Sequence, residues 1–181
     1  MKFFNKTIYN ILCLSRSKKT LNIVNTIANI DDYNLIIPNL YLGNILYANN
    51  LDFLTKNNIK AIINCTEKEP FHDYFNDKSK IRLYVNDSKE DENIEKFKSE
   101  IINCIDFIEE SIKNNNSVYV HCYWGLMRSA TVVAGYLIKR YGISHIDAIK
   151  IIKEQRPCAL SSMYNFNEVL LFVENTYNKK K

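Results

Sequence analysis

The chain is 181 residues long and 46% hydrophobic, with 24 Lys and Arg against 20 Asp and Glu, a formal net charge of +4 and a sequence pI of about 8.7. That length builds one sizeable core and leaves no room for two ordinary domains. No apolar run is long enough to span a bilayer, and a mild excess of scattered lysines does not by itself make a nucleic-acid-binding surface.

The N-terminal stretch from Met1 to Ser15 looks only superficially like a secretion signal, because Asn5, Lys6, Thr7 and Asn10 interrupt its apolar run. An amphipathic helix from about Phe3 to Leu14 is expected instead, with a second near Leu21 to Ile30, so that residues 1–32 form a helical arm. Short strands follow at Leu35 to Ile37 and Leu40 to Leu42, then a helix over Leu46 to Lys56 and strands at Ile59 to Asn64 and Ile81 to Val85. Ile94, Phe97, Ile101, Ile105, Ile108 and Ile112 keep helical spacing, which marks a helix with one face on the core. A strand at Val118 to His121 leads into helices over Ser129 to Tyr141, Ser144 to Glu154 and Ser162 to Asn175. Ser144 and Asp147 form a capping-box pattern around His145, which gives that segment a structural role, and His72 is isolated. Strands alternating with helices predict an α/β fold: a mostly parallel central sheet flanked by helices, over residues 33–177, ahead of a solvated basic tail at 178–181.

Five cysteines, an odd number without paired spacing, argue against a disulfide framework and suit a reducing, cytoplasmic setting. There is no Cys-x-x-Cys pair and no His cluster, so neither a metal nor a cofactor is expected. The frequent Asn, Ile, Lys and Tyr suit an AT-rich genome, such as that of a large DNA virus or a parasite.

The chemistry concentrates in the run from Val118 to Ser129, VYVHCYWGLMRS. A strand must reverse within a few residues to enter a helix, and the connecting loop leaves backbone N–H groups unpaired. Together with the positive end of the helix dipole they form a cradle for a phosphate-like dianion. Gly125 stands where that loop needs a backbone without a Cβ, and Tyr123, Trp124, Leu126 and Met127 contribute the remaining loop amides. The same field lowers the thiol of Cys122 from about 8.5 toward the range where thiolate dominates, which makes it a nucleophile. Arg128 offers a planar two-donor fork to equatorial phosphate oxygens, a geometry lysine cannot imitate. Ser129 is placed to hydrogen-bond the sulfur as it leaves, and His121 immediately precedes the nucleophile.

Several runs together resemble the cysteine-dependent protein tyrosine phosphatases, and among them the small dual-specificity phosphatases. They are Ile37 to Gly43, Ile59 to Thr66, Val85-Asn86-Asp87, the HCYWGLMRSA run from His121 to Ala130, and Arg156-Pro157. The resemblance covers about Leu35 to Glu174. It implies a phosphatase acting on phosphorylated proteins, at phosphotyrosine and phosphoserine or phosphothreonine, through a phosphocysteine intermediate. It also implies that Asp87 is the general acid that protonates the leaving oxygen and later takes a proton from water. Asp91 is the second candidate on this loop, although its place before Asn93-Ile94 suits a helix start equally. The stretch Thr7 to Ser17 resembles the N-terminal helix of the poxvirus members of this group, which is exchanged between the subunits of a homodimer. Ile8, Ile11 and Leu12, with Phe4 as a further candidate, would form its apolar stripe, and packing on its own domain is the alternative.

The chain has no Trp-Pro-Asp acid loop and no extra tyrosine-bearing loop of the kind that deepens the pocket of the large tyrosine-specific enzymes, so a shallower pocket is implied. No lysine lies within the loop, which disfavours a phosphoinositide, and His121 to Ser129 does not match the His-Gly-x-Asn-Arg-Thr of RNA 5′-triphosphatase relatives. Two alternatives stay open: a catalytically weak phosphoprotein-binding module, and an RNA 5′-phosphatase of the same fold. Tyr123 and Trp124 are bulkier than the family's usual residues and Met127 replaces a polar one; the aromatic pair would either pack on a phosphotyrosine ring or fill space beneath the loop. Arg156 would contact a second phosphate or form a structural salt bridge. Ser161 or Ser162 would cap the last helix in place of the usual Pro-Asn.

Overall fold

Hydrophobic residues run almost unbroken through Ile59–Asn64 and Ser117–His121, as parallel strands covered on both faces require. The computed structural model describes residues 31–88, 90–161 and 166–178. The helices expected at Phe3 to Leu14 and Leu21 to Ile30, with the dimer contact assigned to them, lie outside the described residues, as do the last three residues of the basic tail.

Five strands, β1 (Tyr33–Ile37), β2 (Leu40–Gly43), β3 (Ile59–Asn64), β4 (Lys80–Arg82) and β5 (Ser117–His121), form one sheet in the order β1-β2-β5-β3-β4. Only the β1–β2 pair is antiparallel; β2–β5, β5–β3 and β3–β4 are parallel. Pro38 and Asn39 make the β1–β2 turn, Asn39 taking a φ of 66° that asparagine tolerates better than most residues. The expected α/β architecture is therefore the observed one, with β5 central and its C-terminal end carrying the loop of interest.

The helices are α1 (Ile45–Ala48), α2 (Leu51–Lys56), α3 (Asp91–Lys113), α4 (Arg128–Tyr141), α5 (His145–Gln155) and α6 (Asn167–Asn178), with a 3-10 turn at Asp77–Ser79. One core joins Val118 and Val120 of β5 and Ala61 and Ile63 of β3 to α3, α4, α5 and α6; the other joins Tyr119, Ile59 and Ile62 to α1, α2 and Phe75 on the opposite face. The expected stripe on α3 is buried at Ile94, Phe97, Ile101, Ile105 and Ile108, each such side chain contributing about 1.5–3 kcal/mol through removal of apolar surface from water. Every residue of α4 from Arg128 to Ile138 is buried, so this helix is the spine behind the loop.

Three expected boundaries move. The helix expected over Leu46 to Lys56 is two helices, because Asn49 closes α1 and Asn50 starts α2, its side chain accepting from Phe53 N at 2.9 Å. The strand expected to reach Val85 ends at Arg82, which pairs with Asn64, the last residue of β3; beyond it there is no strand to pair with. The last helix starts at Asn167 rather than Ser162, which removes Ser161 as its cap, Ser162 lying outside the described residues. The preceding chain is not free to be helical: Leu160 has a φ of 50° and its N–H is drawn onto the Leu126 carbonyl at 3.0 Å.

Candidate active site

The loop Cys122–Met127 leaves the end of β5 and enters α4, whose first turn has no side-chain cap. The carbonyls from Tyr123 to Met127 are each held from outside the loop. Tyr123 O accepts from Ile45 N at 3.3 Å, Leu126 O from Leu160 N at 3.0 Å, and Met127 O from Thr131 N at 2.8 Å. Arg156 takes the other two: Nη2 donates to Trp124 O at 3.2 Å and Nε to Gly125 O at 2.8 Å. In a trans peptide unit the carbonyl and the following N–H point in opposite directions, so pinning these oxygens outward turns the N–H groups of residues 124 to 128 toward the interior of the loop. Gly125 has a φ of 69°, and a Cβ there would lie 2.3 Å from the Gly43 carbonyl oxygen, so both conformation and space require glycine.

Cys122 sits at the base of this cradle, 2% exposed, with its Sγ accepting from Gly125 N and from Ser129 Oγ, both at 3.2 Å. Burial alone would raise its thiol, and Asp87 adds to that. The Arg128 guanidinium and the hydrogen bonds from Ser129 outweigh both and hold it below the ordinary thiol value. The other described cysteines go the opposite way: burial pushes Cys104 up to about 12 and raises Cys65 and Cys158. Among the described cysteines the low thiol is thus specific to the loop.

Arg128 is buried, and although burial disfavours its charge, the Cys122 thiolate and Asp87 more than compensate. Nη1 donates to Val85 O at 3.4 Å, Nη2 lies 4.0 Å from Asp87 Oδ2, and Nε has no partner among the described residues. A buried guanidinium with an unshared N–H beside a ring of inward amides is what a bidentate oxyanion contact needs. Asp87 therefore lies beside Arg128 and within electrostatic reach of Cys122, whereas Asp91 is exposed in the first turn of α3, so of the two candidates only Asp87 reaches the site.

The loop that carries Asp87 has its own brace, which the sequence reading missed. The buried Asn93 side chain accepts from Asn86 N at 2.8 Å and donates to Asn86 O at 2.9 Å and Ser88 O at 2.8 Å, clasping the residues on either side of Asp87. A buried asparagine near a helix start is the only sequence signal for it. Arg156 contradicts both of its expected roles. It makes no salt bridge among the described ion pairs, and it lies beneath the loop, 2% exposed, with its hydrogen bonds spent on backbone carbonyls and Asn34. Tyr123 is buried in the apolar cluster that includes Ile45, Phe53 and Tyr119, while Trp124 is half-buried and packs edge-on against it, ring centroids 5.5 Å apart. A cavity of ≈ 260 Å³ opens beside Arg128, lined by Thr66, Glu67, Lys68, Glu69, Asn86 and Tyr123. Among the described residues no group of His, Cys, Asp and Glu could hold a metal ion, and no helix is long and apolar enough to cross a membrane.

His121 is fully buried, stacked on Tyr119 at 5.8 Å between centroids, and burial lowers it from 6.5 to about 3. The unfolded chain binds a proton here that the folded chain refuses. The stability is therefore complete above the unfolded value and is lost as pH falls from 6.5 toward 3. Lowering the pH from about 7.5 to about 4.5 is expected to cost roughly 2–3 kcal/mol at this one site. Chemical denaturation at both pH values should show a smaller difference for His121→Gln than for the natural chain.

A family model described as "Dual specificity phosphatase, catalytic domain" matches residues 40–176. The chain is 35% identical over 139 residues to human dual specificity protein phosphatase 16, covering 77% of this chain and 20% of that protein. It is 35% identical over 126 residues to dual specificity protein phosphatase 1 of Arabidopsis thaliana, covering 69% of this chain and 61% of that one. The chain thus spans about a fifth of the first of these relatives. Its fold is similar to that of human DUSP28, with a TM-score of 0.70 at 20% identity, over 81% of this chain and 95% of that one.

Proposed function

Because the chain belongs to the dual-specificity phosphatase family, through the catalytic domain matched over residues 40–176, we propose that it is a phosphatase of phosphorylated proteins. It hydrolyses phosphotyrosine and phosphoserine or phosphothreonine through a phosphocysteine intermediate. The carrying observation is the Cys122 sulfur, held by Gly125 N and Ser129 Oγ at the uncapped start of α4, with Arg128 and Asp87 facing it.

In the first step Cys122 Sγ attacks phosphorus, an S–P bond forms and the ester P–O bond breaks. Arg128 and the inward amides hold the three equatorial oxygens, most tightly where charge is spread in the transition state. Asp87 gives its proton to the departing oxygen. In the second step Asp87 takes a proton from water as that water attacks phosphorus. The S–P bond then breaks, and the thiolate returns to the hydrogen bonds of Gly125 and Ser129. The products are an alcohol or phenol and inorganic phosphate, and no step calls for a metal.

A protein substrate is supported by the absence of lysine from the loop, and action on phosphoserine and phosphothreonine beside phosphotyrosine by the absence of a Trp-Pro-Asp run and of a pocket-deepening tyrosine-bearing loop. The four described cysteines are free thiols, which supports a reducing, cytoplasmic setting. The apolar stripe of the N-terminal arm supports a contact between two copies, and the residue usage supports a viral or parasite source. All the reacting groups being present and assembled favours turnover over mere phosphoprotein binding.

The test is direct. The full chain should hydrolyse para-nitrophenyl phosphate in the presence of a chelator, be inhibited by vanadate, and release phosphate from phosphotyrosine and phosphothreonine peptides. Activity that vanishes with chelation, or that is seen only on RNA 5′-phosphates, would defeat the reading.

A further inference from the structure

Arg156 lies 34 residues past the nucleophile, at the C-terminal end of α5, and belongs neither to the signature loop nor to α4. Its guanidinium makes four contacts. Nε and Nη2 hold Gly125 O at 2.8 Å and Trp124 O at 3.2 Å, while Nη1 reaches Asp31 O at 2.6 Å and Asn34 Oδ1 at 2.7 Å. The inner edge thus grips two consecutive peptide units of the loop, and the outer donor is fastened to the chain entering β1.

We propose that Arg156 is a positioning residue for the phosphate cradle, fixing the direction in which the Gly125 and Leu126 amides point. The reasoning is geometric. With Trp124 O held outward, the N–H of the same trans peptide is Gly125 N–H, and it does point at Cys122 Sγ, 3.2 Å away. With Gly125 O held outward, Leu126 N–H turns inward by the same rule. Glycine at 125 makes this grip necessary, since φ there is 69° and a residue without a Cβ opposes rotation of its two flanking peptides the least. The neighbouring carbonyls of Tyr123, Leu126 and Met127 accept from the backbone N–H groups of Ile45, Leu160 and Thr131, whereas those of Trp124 and Gly125 depend on this one side chain among the described residues. Lysine could keep the charge but not grip two carbonyls and two outer acceptors from one planar group.

The proposal rests on the phosphatase reading, so the readouts separate the two. In the full chain, Arg156→Lys is expected to weaken tungstate binding, measured by calorimetry, by about tenfold or more, since donors to a charged oxyanion are misdirected. It should also move the pH profile of Cys122 alkylation, followed by mass spectrometry of that peptide, to higher pH. The dependence of rate on leaving group should stay as in the natural chain, because Asp87 is untouched. Asn34→Ala removes only one outer anchor and should shift the first two readouts the same way by about two- to threefold; it decides the matter if Arg156→Lys does not fold. Folded variants that bind tungstate and alkylate like the natural chain overturn the proposal alone. A natural chain that binds no tungstate and has an ordinary Cys122 thiol overturns the phosphatase reading, and this proposal with it.

Discussion

Cys122→Ser is expected to lower turnover of para-nitrophenyl phosphate by about four orders of magnitude or more, while binding of tungstate or a phosphotyrosine peptide stays the same or tightens. The two halves of this result come from different atoms. The nucleophile is lost because a serine hydroxyl, far less acidic than a thiol, stays protonated where Gly125 N–H and Ser129 Oγ–H meet the sulfur, whereas the thiol ionises under the influence of Arg128. The binding half is carried by groups that do not change: the amides of residues 124 to 128, the start of α4 and the Arg128 fork. Removing a thiolate that sits beneath a bound dianion also removes a repulsion between like charges in a buried site, so affinity has no reason to fall. Turnover within tenfold of the natural chain would mean that another group attacks phosphorus. Loss of anion binding together with turnover would mean that the serine disturbs the loop, and Cys122→Ala would then be the variant to compare.

The loop was legible because its requirements are local. A strand, a cysteine, a glycine and an Arg-Ser pair opening a helix are close in the chain, and the geometry of a strand-to-helix turn brings them together without help. The sheet was legible for a similar reason, since its central strands read as continuous apolar runs. What escaped were residues whose partners are backbone groups. Asn93 clasps the backbone on both sides of Asp87, and nothing in an asparagine at a helix start announces which carbonyls it will meet. Arg156 carried a choice between a second phosphate and a salt bridge, yet it bonds to Trp124 and Gly125 carbonyls 32 and 31 residues away, and to Asp31 and Asn34 more than 120 residues away. Backbone acceptors carry no sequence signature, so such contacts cannot be read from residue types. The burial of Tyr123 was undecidable for a related reason: it depends on the space left by Ile45, Phe53 and Tyr119 on the far side of the sheet. The split between α1 and α2 was, by contrast, visible in principle, since Asn49-Asn50 offers a stop and a cap in succession.

Asp87→Asn should slow hydrolysis of alkyl phosphates and phosphothreonine peptides by about a hundred- to a thousandfold, and of aryl phosphates with good leaving groups by far less. The asymmetry follows from what the carboxyl supplies. An alkoxide cannot leave without a proton, whereas a phenoxide stabilised by a nitro group can, so the loss scales with the basicity of the departing oxygen. Asparagine preserves the size of the side chain and its place 4.0 Å from Arg128, and removes only the transferable proton. Oxyanion binding and the ionisation of Cys122 should therefore survive; any change in the latter should favour the thiolate, since Asp87 works against it. Asn93→Ala gives the same pattern at reduced amplitude, about tenfold on the poor leaving groups, because three hydrogen bonds that hold Asn86 and Ser88 are lost and Asp87 spends less time beside Arg128. Rates measured over a series of phosphate esters of graded leaving-group basicity check both variants at once. A uniform loss across the series would remove Asp87 from the proton transfer and leave it a role only in holding Arg128. A normal series for Asn93→Ala would show that the acid loop keeps its place without the clasp.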